Sequence, residues 1–389
     1  MDNNKNDNMS RQHRQRTRNS ALASNNAGKI KRPFVKILGL VFLVMIFVMG
    51  AYGFRLYAQA QNSLGKTYKA IDGKKVSTRI NNKQPISILL LGVDTTDNGI
   101  RDTETNYRGN SDTMIVVTVN PKTNKTTMVS VPRDTMAQIW KSSTNNTRKI
   151  QKINSAYNIG NEGSAVATTE KLLNVPIDYY VKVDFNSLKQ IVNAVGGVDV
   201  NVPFSFSYGD TGEKESHFKK GKMHLNGKQA LDYSRMRYED PEGDYGRQKR
   251  QRQVIKSIVK NAISLNTVAN LESILNSLEK NVKTNLTFNN LISIMRNYTD
   301  AADEMKSDYL HGTPAFIGDA SYQVMATTEL QRISDLVRSQ MGLEQETLDN
   351  NETYQNEQNT TFDWKSGVYT QPYTIYSKNS PGVVWNGSN

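Results

Sequence analysis

The 389-residue sequence contains no cysteine. This absence excludes disulfide bonds, thiolate metal sites and a cysteine nucleophile. It leaves the redox compartment open, because an exported protein can dispense with disulfides. Histidine is also scarce, with four residues in the whole chain. Long apolar runs are rarer still: one stretch at 37–54 has eighteen residues without a charge.

That apolar stretch predicts a transmembrane helix at 34–54. With Phe34, Val35 and a Lys36 able to snorkel, it reaches the roughly 20 residues that a helix needs to cross a bilayer. A cleaved signal peptide is the alternative, because Ala58-Gln59-Ala60 resembles a cleavage site. The run exceeds the apolar segment usual in signal peptides, and Arg55 separates it from that site, which favours an uncleaved anchor.

The charge distribution orients the predicted anchor. The net charge is +12, and residues 1–33 supply half of it, with eight basic residues against two acidic ones. Cationic residues flanking a span remain on the cytoplasmic side. We therefore predict a basic cytoplasmic tail at 1–33 and an exported main domain after Phe54. Export argues against a reader of nucleic acid.

The exported part has the pattern of an α/β domain. Continuous apolar or β-rich runs predict strands at 86–93, 114–119, 126–131, 179–183 and 198–202. Helical periodicity lies between and after them, at 161–173, 187–195 and 246–264, and later at 268–278, 288–301 and 328–341 with a short strand at 322–325. We predict a stalk or linker at 55–83 and a catalytic domain at 84–343. Its expected fold is a largely buried mixed β-sheet flanked by helices. The polar segment 344–389 is predicted to be mostly disordered.

Charged residues follow or precede the predicted strands. Asp94 comes after the first strand, Asp112 just before the second, and Arg133 after the third. Ligands bind at strand ends in α/β sheets, so these groups are expected to meet in one crevice. The plainer interpretation is that the two aspartates cap turns.

A second group of charges lies in DYSRMRYEDPEGDYGRQKRQRQ, at 232–253. Arg235 and Arg237 are two apart and would share a side in extended backbone. Arg247 and Gln251 are four apart on one helix face, with Arg247 in the first turn, where a cation is unfavourable unless an anion is bound. Arginine forks, a helix N-terminus and aspartates suit a pyrophosphate with a divalent metal. A solvated charged loop is the alternative. Arg250 and Arg252 point elsewhere on the helix and are predicted to be solvated or lipid-facing.

These segments together resemble the LytR-CpsA-Psr family of membrane-anchored cell-wall proteins. The matching segments are ILLLGVDT (88–95), NSDTMIVVTVNP (110–121), SVPRDT (130–135), KINSAY (152–157), GGVDVNVP (196–203) and LNGKQALDYSRMR with GDYGRQKRQ (225–251). So many ordered segments make the match specific.

The resemblance implies a membrane-bound phosphotransferase of a Gram-positive bacterium. Such an enzyme moves a phosphate-linked glycopolymer, wall teichoic acid or capsule, from undecaprenyl pyrophosphate to a peptidoglycan hydroxyl. It implies that Arg133, Arg235, Arg237 and Arg247, with Gln251, hold the pyrophosphate. It also implies that Asp94 and Asp112 serve Mg²⁺ (or Mn²⁺) and that Asp94, Asp112, Arg133, Arg235 and Arg237 are catalytic.

One departure from the family pattern concerns Asn110, which stands where the family usually has arginine; Arg108 is the nearby candidate substitute. A polyprenyl tail would also need an apolar slot. Helix faces that could line one, or simply form core, contain Ile191, Val192, Val254, Ile255, Ile258 and Val259.

Two other classes of function stay open. One is a non-catalytic protein that binds lipid-linked polymer, and the other is a membrane-bound transcriptional regulator. The exported arginines and the lack of a helix-turn-helix pattern in the tail disfavour the regulator.

Overall fold

A computed structural model describes residues 58, 67–71, 73–93, 109–209, 214–264, 282–368 and 370–377. The chain divides into two units, Met1–Leu56 and Tyr57–Asn389, and all the described residues lie in the second. No helix within the described ranges is long and apolar enough to cross a membrane. The predicted span at 34–54 and the predicted helix at 268–278 lie outside these ranges.

A six-stranded mixed sheet forms the centre of the domain, as the sequence predicts. Its spatial order is β11-β6-β1-β2-β3-β12. The strands are β1 (Ile86–Val93), β2 (Ser111–Asn120), β3 (Lys125–Ser130), β6 (Tyr179–Asp184), β11 (Val282–Thr284) and β12 (Glu304–Tyr309).

Four of these strands run in the same direction. β1 is parallel to β6, and β3 is parallel to β12. β2 is antiparallel to both β1 and β3, so β1 and β3 also share one direction. The carboxyl ends of all four therefore meet at one edge of the sheet, where β2 begins.

Side chains alternate between the two faces of the sheet along each strand. Apolar residues therefore lie on both faces, and helices cover each of them. On one face, Leu89, Leu91 and Val116 join the main core with helices α1 (Ser155–Leu173) and α6 (Thr327–Gln340). On the other, Ile115 and Val117 pack with residues of helix α4 (Asp244–Ser264). The continuous apolar sequence of β1 suits burial on both faces.

The remaining elements form smaller layers around this centre. Helices α2 (Phe185–Ala194) and α3 (Gly227–Arg235) share a second core with α4 and the pair β7–β10. Helix α5 (Phe288–Asn297) precedes β12. Short antiparallel pairs are β4–β5 (Met136–Trp140, Asn146–Lys152), β7–β10 (Val198–Val202, Gly221–Leu225), β8–β9 (Phe206–Tyr208, Ser216–Phe218) and β13–β14 (Gly312–Ile317, Ala320–Met325).

The predicted linker at 55–83 differs from the structure over its described part. Ile80 is buried in a core cluster with Ile86 and Tyr179. Tyr68 forms a β-bridge to Thr284. These contacts make the segment from Tyr68 onward part of the domain, which local polarity in the sequence did not indicate.

The predicted disordered tail also differs from the structure, over residues 344–377. Helix α7 (Asn351–Gln358) forms there, with Asn350 capping it. Phe362, Tyr373 and Ile375 are buried in a core cluster with residues of β4, β13 and β14. The apolar residues are sparse along the segment, but they converge on apolar residues from other elements, so a local composition cannot reveal the core.

Candidate functional site

The candidate site lies at the sheet edge where the parallel strands end. β1 ends at Val93, the residue before Asp94, and Val93 pairs with Ser111, the residue before Asp112. β3 ends three residues before Arg133. The strand directions thus bring the predicted segments to one edge. Asp94 and Arg108 lie outside the described residues, so their side chains remain predictions.

Arg133 and Asp112 form an ion pair at this edge. Nη1 of Arg133 donates to Oδ1 of Asp112 at 3.0 Å. Burial by itself would lower the pKa of Arg133, but the carboxylates of Asp112, Asp134 and Asp244 outweigh it and raise that pKa. Arg133 therefore remains a cation throughout the physiological pH range.

Arg247 is the most buried cation of the predicted pyrophosphate set. Its Nη2 lies 2.7 Å from Oδ1 of Asp244 and donates to the backbone oxygen of Asp112 at 3.4 Å. Desolvation lowers the pKa of Arg247, and repulsion from Arg133 and Arg237 lowers it further against the pull of the two aspartates. Arg247 is thus held close to two other cations at an energetic cost.

Two arginine donors at this edge lack a hydrogen-bond acceptor. Within the described part of the chain, the buried Nε atoms of Arg133 and Arg247 have no hydrogen-bond acceptor, although Nε of Arg133 lies 3.7 Å from Oδ2 of Asp134. An unsatisfied buried donor typically costs about 1–3 kcal/mol. A bound anion that accepts from both groups would remove that cost.

The other predicted pyrophosphate residues lie around α3 and α4. Cζ of Arg235 lies 4.5 Å from the ring centroid of Phe185, which directly follows β6. Arg237 is half-buried, with Cζ 5.6 Å from the Tyr238 ring centroid. Gln251 donates from Nε2 to the backbone oxygen of Ser234 at 3.3 Å.

The prediction of extended backbone through Arg235 and Arg237 is wrong for Arg235, which is the last residue of α3. A glycine and several polar residues in GKQALDYSR weaken its helical pattern, although Asn226 and Gln229 form a capping box at its start. Helix α4 begins at Asp244, two residues before the predicted start at 246, and Arg247 lies in its first turn as predicted.

The interpretation of Arg250 and Arg252 as solvated or lipid-facing is also wrong. Arg250 is 1% exposed and Arg252 is 4% exposed. Arg250 forms an ion pair with Asp240, and Arg252 donates to Ser130 Oγ at the end of β3. Desolvation lowers the pKa of Arg252 to about 10. Their partners are distant in sequence, so helical periodicity could not reveal them.

Further polar residues at the site carried weaker sequence signals. Asp134 pairs with Lys152 at 2.8 Å, and both lie within the matched segments. Asn154 donates from its backbone nitrogen to the Arg133 backbone oxygen at 3.3 Å, while its own backbone oxygen accepts from Ser111 at 3.2 Å. Its buried Oδ1 has no partner in the described structure. Asn154 therefore lies against the segments that carry both Asp112 and Arg133.

Oxygen donors at the site suit a hard divalent cation. Asp112 and Asp244 supply carboxylates, and the buried Asp244 Oδ1 makes no hydrogen bond, although Arg247 lies beside it. Among the described residues, no group of three or more His, Cys, Asp or Glu has metal-binding geometry. Asp94, one of the predicted pair, lies outside those residues.

The predicted lipid slot divides between core and partly buried residues. Val192 and Val254 are fully enclosed in the second core, which supports the plain-core interpretation for both. Ile255 is only partly buried and packs beside the sheet residues Ile115 and Val117.

Comparison with known proteins gives a consistent result. The LytR_cpsA_psr family model matches residues 54–339. Polyisoprenyl-teichoic acid–peptidoglycan teichoic acid transferase TagU of Enterococcus faecalis is 42% identical over 314 residues, covering 80% of this chain and 98% of that protein.

Solved structures are similar in fold. The crystal structure of B. subtilis TagU shares 37% identity at a TM-score of 0.51, over 68% of this chain and 100% of that one. A structure of TagT bound to LIIa-WTA shares 25% identity at a TM-score of 0.56, over 70% of this chain and 98% of that one. The family match over most of the chain, together with these relatives, establishes that this protein belongs to the LytR-CpsA-Psr family.

Proposed function

We propose that the protein transfers a phosphate-linked teichoic acid from an undecaprenyl-pyrophosphate carrier to a hydroxyl group of peptidoglycan. It is an enzyme of the transferase class, as its TagU relatives are named. The acceptor oxygen bonds to the phosphorus that carries the polymer, and the bond from that phosphorus to the bridging oxygen breaks. The hydroxyl proton passes to a base, and undecaprenyl phosphate leaves.

One observation carries the proposal: Arg133 and Arg247 each keep a buried Nε–H without an acceptor, beside Asp112. Guanidinium groups match phosphate oxygens in a planar, bidentate geometry. Repulsion between Arg247 and its neighbours Arg133 and Arg237 is relieved when an anion binds. A pyrophosphate supplies both the acceptor atoms and the negative charge.

The chemistry needs little beyond this arrangement. Phosphoryl transfer depends mainly on positioning and on neutralising charge, both of which clustered arginines supply. Arg133, Arg235, Arg237 and Arg247, with Gln251, are the proposed pyrophosphate ligands, and Arg108 is proposed to substitute for the arginine absent at Asn110.

A divalent cation, Mg²⁺ or Mn²⁺, fits the oxygen donors of the site. We assign Asp94 and Asp112 to it, with Asp244 as a further carboxylate at the same edge. When bound, the ion would neutralise charge on the pyrophosphate. The Arg133–Asp112 ion pair already orients one of these carboxylates toward the cationic cluster.

The proposed location is the cell membrane, with a single span at 34–54, residues 1–33 in the cytoplasm and the main domain outside. The Lys/Arg bias before the span supports this orientation. Protease added to intact protoplasts should then digest the main domain. Digestion of only the segment before Phe34 would show that the chain has the opposite orientation.

Turnover by the purified full-length chain tests the activity. Supplied with polyprenyl-pyrophosphate-linked teichoic acid and peptidoglycan oligomers, it should release polyprenyl phosphate and form polymer-linked peptidoglycan, detected by mass spectrometry. Saturable donor binding without either product would identify the alternative function, a protein that only holds lipid-linked polymer.

A further inference from the structure

Arg250 is a buried cation on α4 that takes no place in the proposed pyrophosphate set. It is 1% exposed, and each nitrogen of its guanidinium has an acceptor. Nε donates to the backbone oxygen of Tyr233 at 2.9 Å, Nη2 donates to the backbone oxygen of Met236, and Nη1 donates to Oδ2 of Asp240. Its Cζ lies 5.6 Å from the ring centroid of Phe206. No ligand can reach a group enclosed in this way.

Two of these acceptors are backbone oxygens at the end of α3. The last carbonyl groups of a helix have no partner inside the helix. Arg250 donates to the backbone oxygens of Tyr233 and Met236, which lie on either side of Arg235 in the sequence. Met236 also directly precedes Arg237. Arg250 thus holds the backbone on both sides of Arg235.

The third acceptor, Asp240, organises the turn after Arg237. Its backbone nitrogen donates to the Arg237 oxygen at 3.2 Å, and its Oδ1 accepts from the Glu242 nitrogen at 2.8 Å. The same carboxylate lies over Gly246, where an added Cβ would approach it to 2.1–2.2 Å. Only glycine at position 246 leaves room for the Asp240 carboxylate. The loop that carries Asp240 therefore packs directly against the first turn of α4.

The helix that carries Arg250 also carries two proposed ligands, Arg247 three residues before it and Gln251 one residue after it. Two of the segments that present proposed pyrophosphate ligands, the end of α3 and the first turns of α4, are therefore joined through one guanidinium. Its flat fork reaches three acceptors in fixed directions, and a lysine ammonium on a flexible stem cannot reproduce that geometry.

We propose that Arg250 is a positioning residue, which sets Arg235 and Arg237 in register with Arg247 and Gln251 so that all four reach one pyrophosphate. This inference rests on the proposed function. It assigns to Arg250 an effect on the affinity for pyrophosphate in addition to its effect on folding. At metal sites, loss of a group that orients a ligating residue typically costs about 10–100-fold in affinity or activity, and we expect an effect of that order here.

The test compares Arg250→Lys with a matched variant, Arg338→Lys, in the full-length chain. Arg338 is 6% exposed and donates to the backbone oxygens of Glu344 at 2.6 Å and Asn174 at 2.8 Å. It also pairs with Glu346 at 2.6 Å. It has the same kind of buried, carbonyl-binding guanidinium, and none of these partners is a proposed ligand.

Titration calorimetry with inorganic pyrophosphate gives the readout, at a temperature where circular dichroism shows each variant folded. We expect Arg250→Lys to weaken pyrophosphate binding roughly tenfold or more, and Arg338→Lys to leave it unchanged. If Arg250→Lys does not fold, Asp240→Asn removes the negative charge and leaves one amide oxygen where the carboxylate accepts from both Arg250 and the Glu242 nitrogen, and it should weaken binding in the same direction.

The possible failures are distinguishable. If the wild type binds pyrophosphate and both Arg250→Lys and Asp240→Asn bind it equally well, Arg250 is only structural and the inference is overturned. An equal weakening by Arg338→Lys would also overturn it. A wild type that binds no pyrophosphate would overturn the proposed site itself.

Discussion

At the scale of single residues, the candidate site brings cations close together and leaves some of their donors unsatisfied. If no anion bound at this site, the folded protein would be more stable with Arg133, Arg237 and Arg247 farther apart, because their positive charges repel. Their proximity, with the buried Nε atoms of Arg133 and Arg247 unpartnered, is an arrangement that makes sense for a ligand with several negative oxygens.

Arg235 offers a direct test of that argument. A ligand that binds only the folded state stabilises it by about 2.7 kcal/mol at a hundredfold excess over Kd. We expect Arg235→Ala to remove most of the rise in melting temperature caused by polyprenyl pyrophosphate, and to change the ligand-free melting temperature little, because Arg235 is only half-buried. Arg235→Lys should recover part of the rise.

The control for Arg235 is Arg296→Ala, since Arg296 is an exposed arginine in the last turn of α5. It should leave the ligand-induced rise intact. If Arg235→Ala also leaves it intact, the cluster is surface charge and the site assignment fails.

Asp112 tests the proposed metal site. Asp112→Asn keeps the size of the side chain but removes a negative charge next to Arg133, whose raised pKa keeps it cationic. We expect lower turnover and a higher Mg²⁺ concentration for half-maximal activity. Titration of Asp112→Asn with Mn²⁺, followed by the electron paramagnetic resonance signal of the ion, should show weaker binding than in the wild type. This measurement does not depend on turnover.

The exposed Asp319→Asn provides the comparison for Asp112, because Asp319 lies in the β13–β14 turn. Wild-type Mg²⁺ dependence and Mn²⁺ binding in Asp112→Asn would indicate that Asp112 serves only as a residue of β2 and as the ion-pair partner of Arg133.

At the scale of elements, α4 carries two buried arginines outside the proposed pyrophosphate set, Arg250 and Arg252, in unlike environments. Arg250 is paired with the buried Asp240, so Arg250→Met would leave a buried carboxylate without its cation, at a cost of about 3–5 kcal/mol. Arg252 hydrogen-bonds to the neutral hydroxyl of Ser130, and its Nε has no partner in the described structure. We expect Arg252→Met to change the free energy of unfolding by about 1 kcal/mol or less, because it also removes a desolvation cost.

Urea unfolding of the two methionine variants gives the comparison. A loss in Arg252→Met as large as that in Arg250→Met would mean that Arg252 has a compensating charge partner, with Asp308 the candidate since its carboxylate acts on the pKa of Arg252.

Elements with strong local patterns are the ones the sequence predicts. β1, β2, β3 and β6 are apolar or β-rich runs buried in the central sheet, and a helical period is present in α6 and in the C-terminal half of α4. Polar ribbons such as β5, with sequence NTRKIQK, have no such pattern and depend on pairing with β4. Helix α3 was missed because it is only nine residues long and contains few apolar residues, as its sequence GKQALDYSR shows.

The site was predictable to the extent that ligands gather where parallel strands end. Asp112 and Arg133 could be placed together from strand direction alone. The Arg250–Asp240 contact could not, because it depends on the course of the turn between α3 and α4. Asn154 contacts the Arg133 segment through its backbone, which leaves no mark on residue type.

At the scale of the whole molecule, the domain extends beyond the region that the family model matches. The family match ends at residue 339, whereas ordered contacts continue to residue 377. The added segment pairs with β13: the Phe316 nitrogen donates to the Gln371 oxygen at 2.7 Å, and the Tyr373 nitrogen donates to the Phe316 oxygen at 2.8 Å. β13 and its partner β14 also bear on the site, since the Gln323 nitrogen donates to the Asp134 oxygen at 2.8 Å.

Truncation should therefore separate two parts of the C-terminal region. Ending the chain after Leu343 removes Phe362, Tyr373 and Ile375 from their core cluster and exposes the β13 edge, so we expect a lower melting temperature and faster proteolysis. Ending it after Ser377 removes none of these contacts and should leave both properties unchanged.

Because Asp134 accepts from β14, the shorter chain should also bind pyrophosphate more weakly than the longer one at a temperature where both are folded. Equal stability of the two truncated chains would show that residues 344–377 contribute no core, as their polar composition alone suggests.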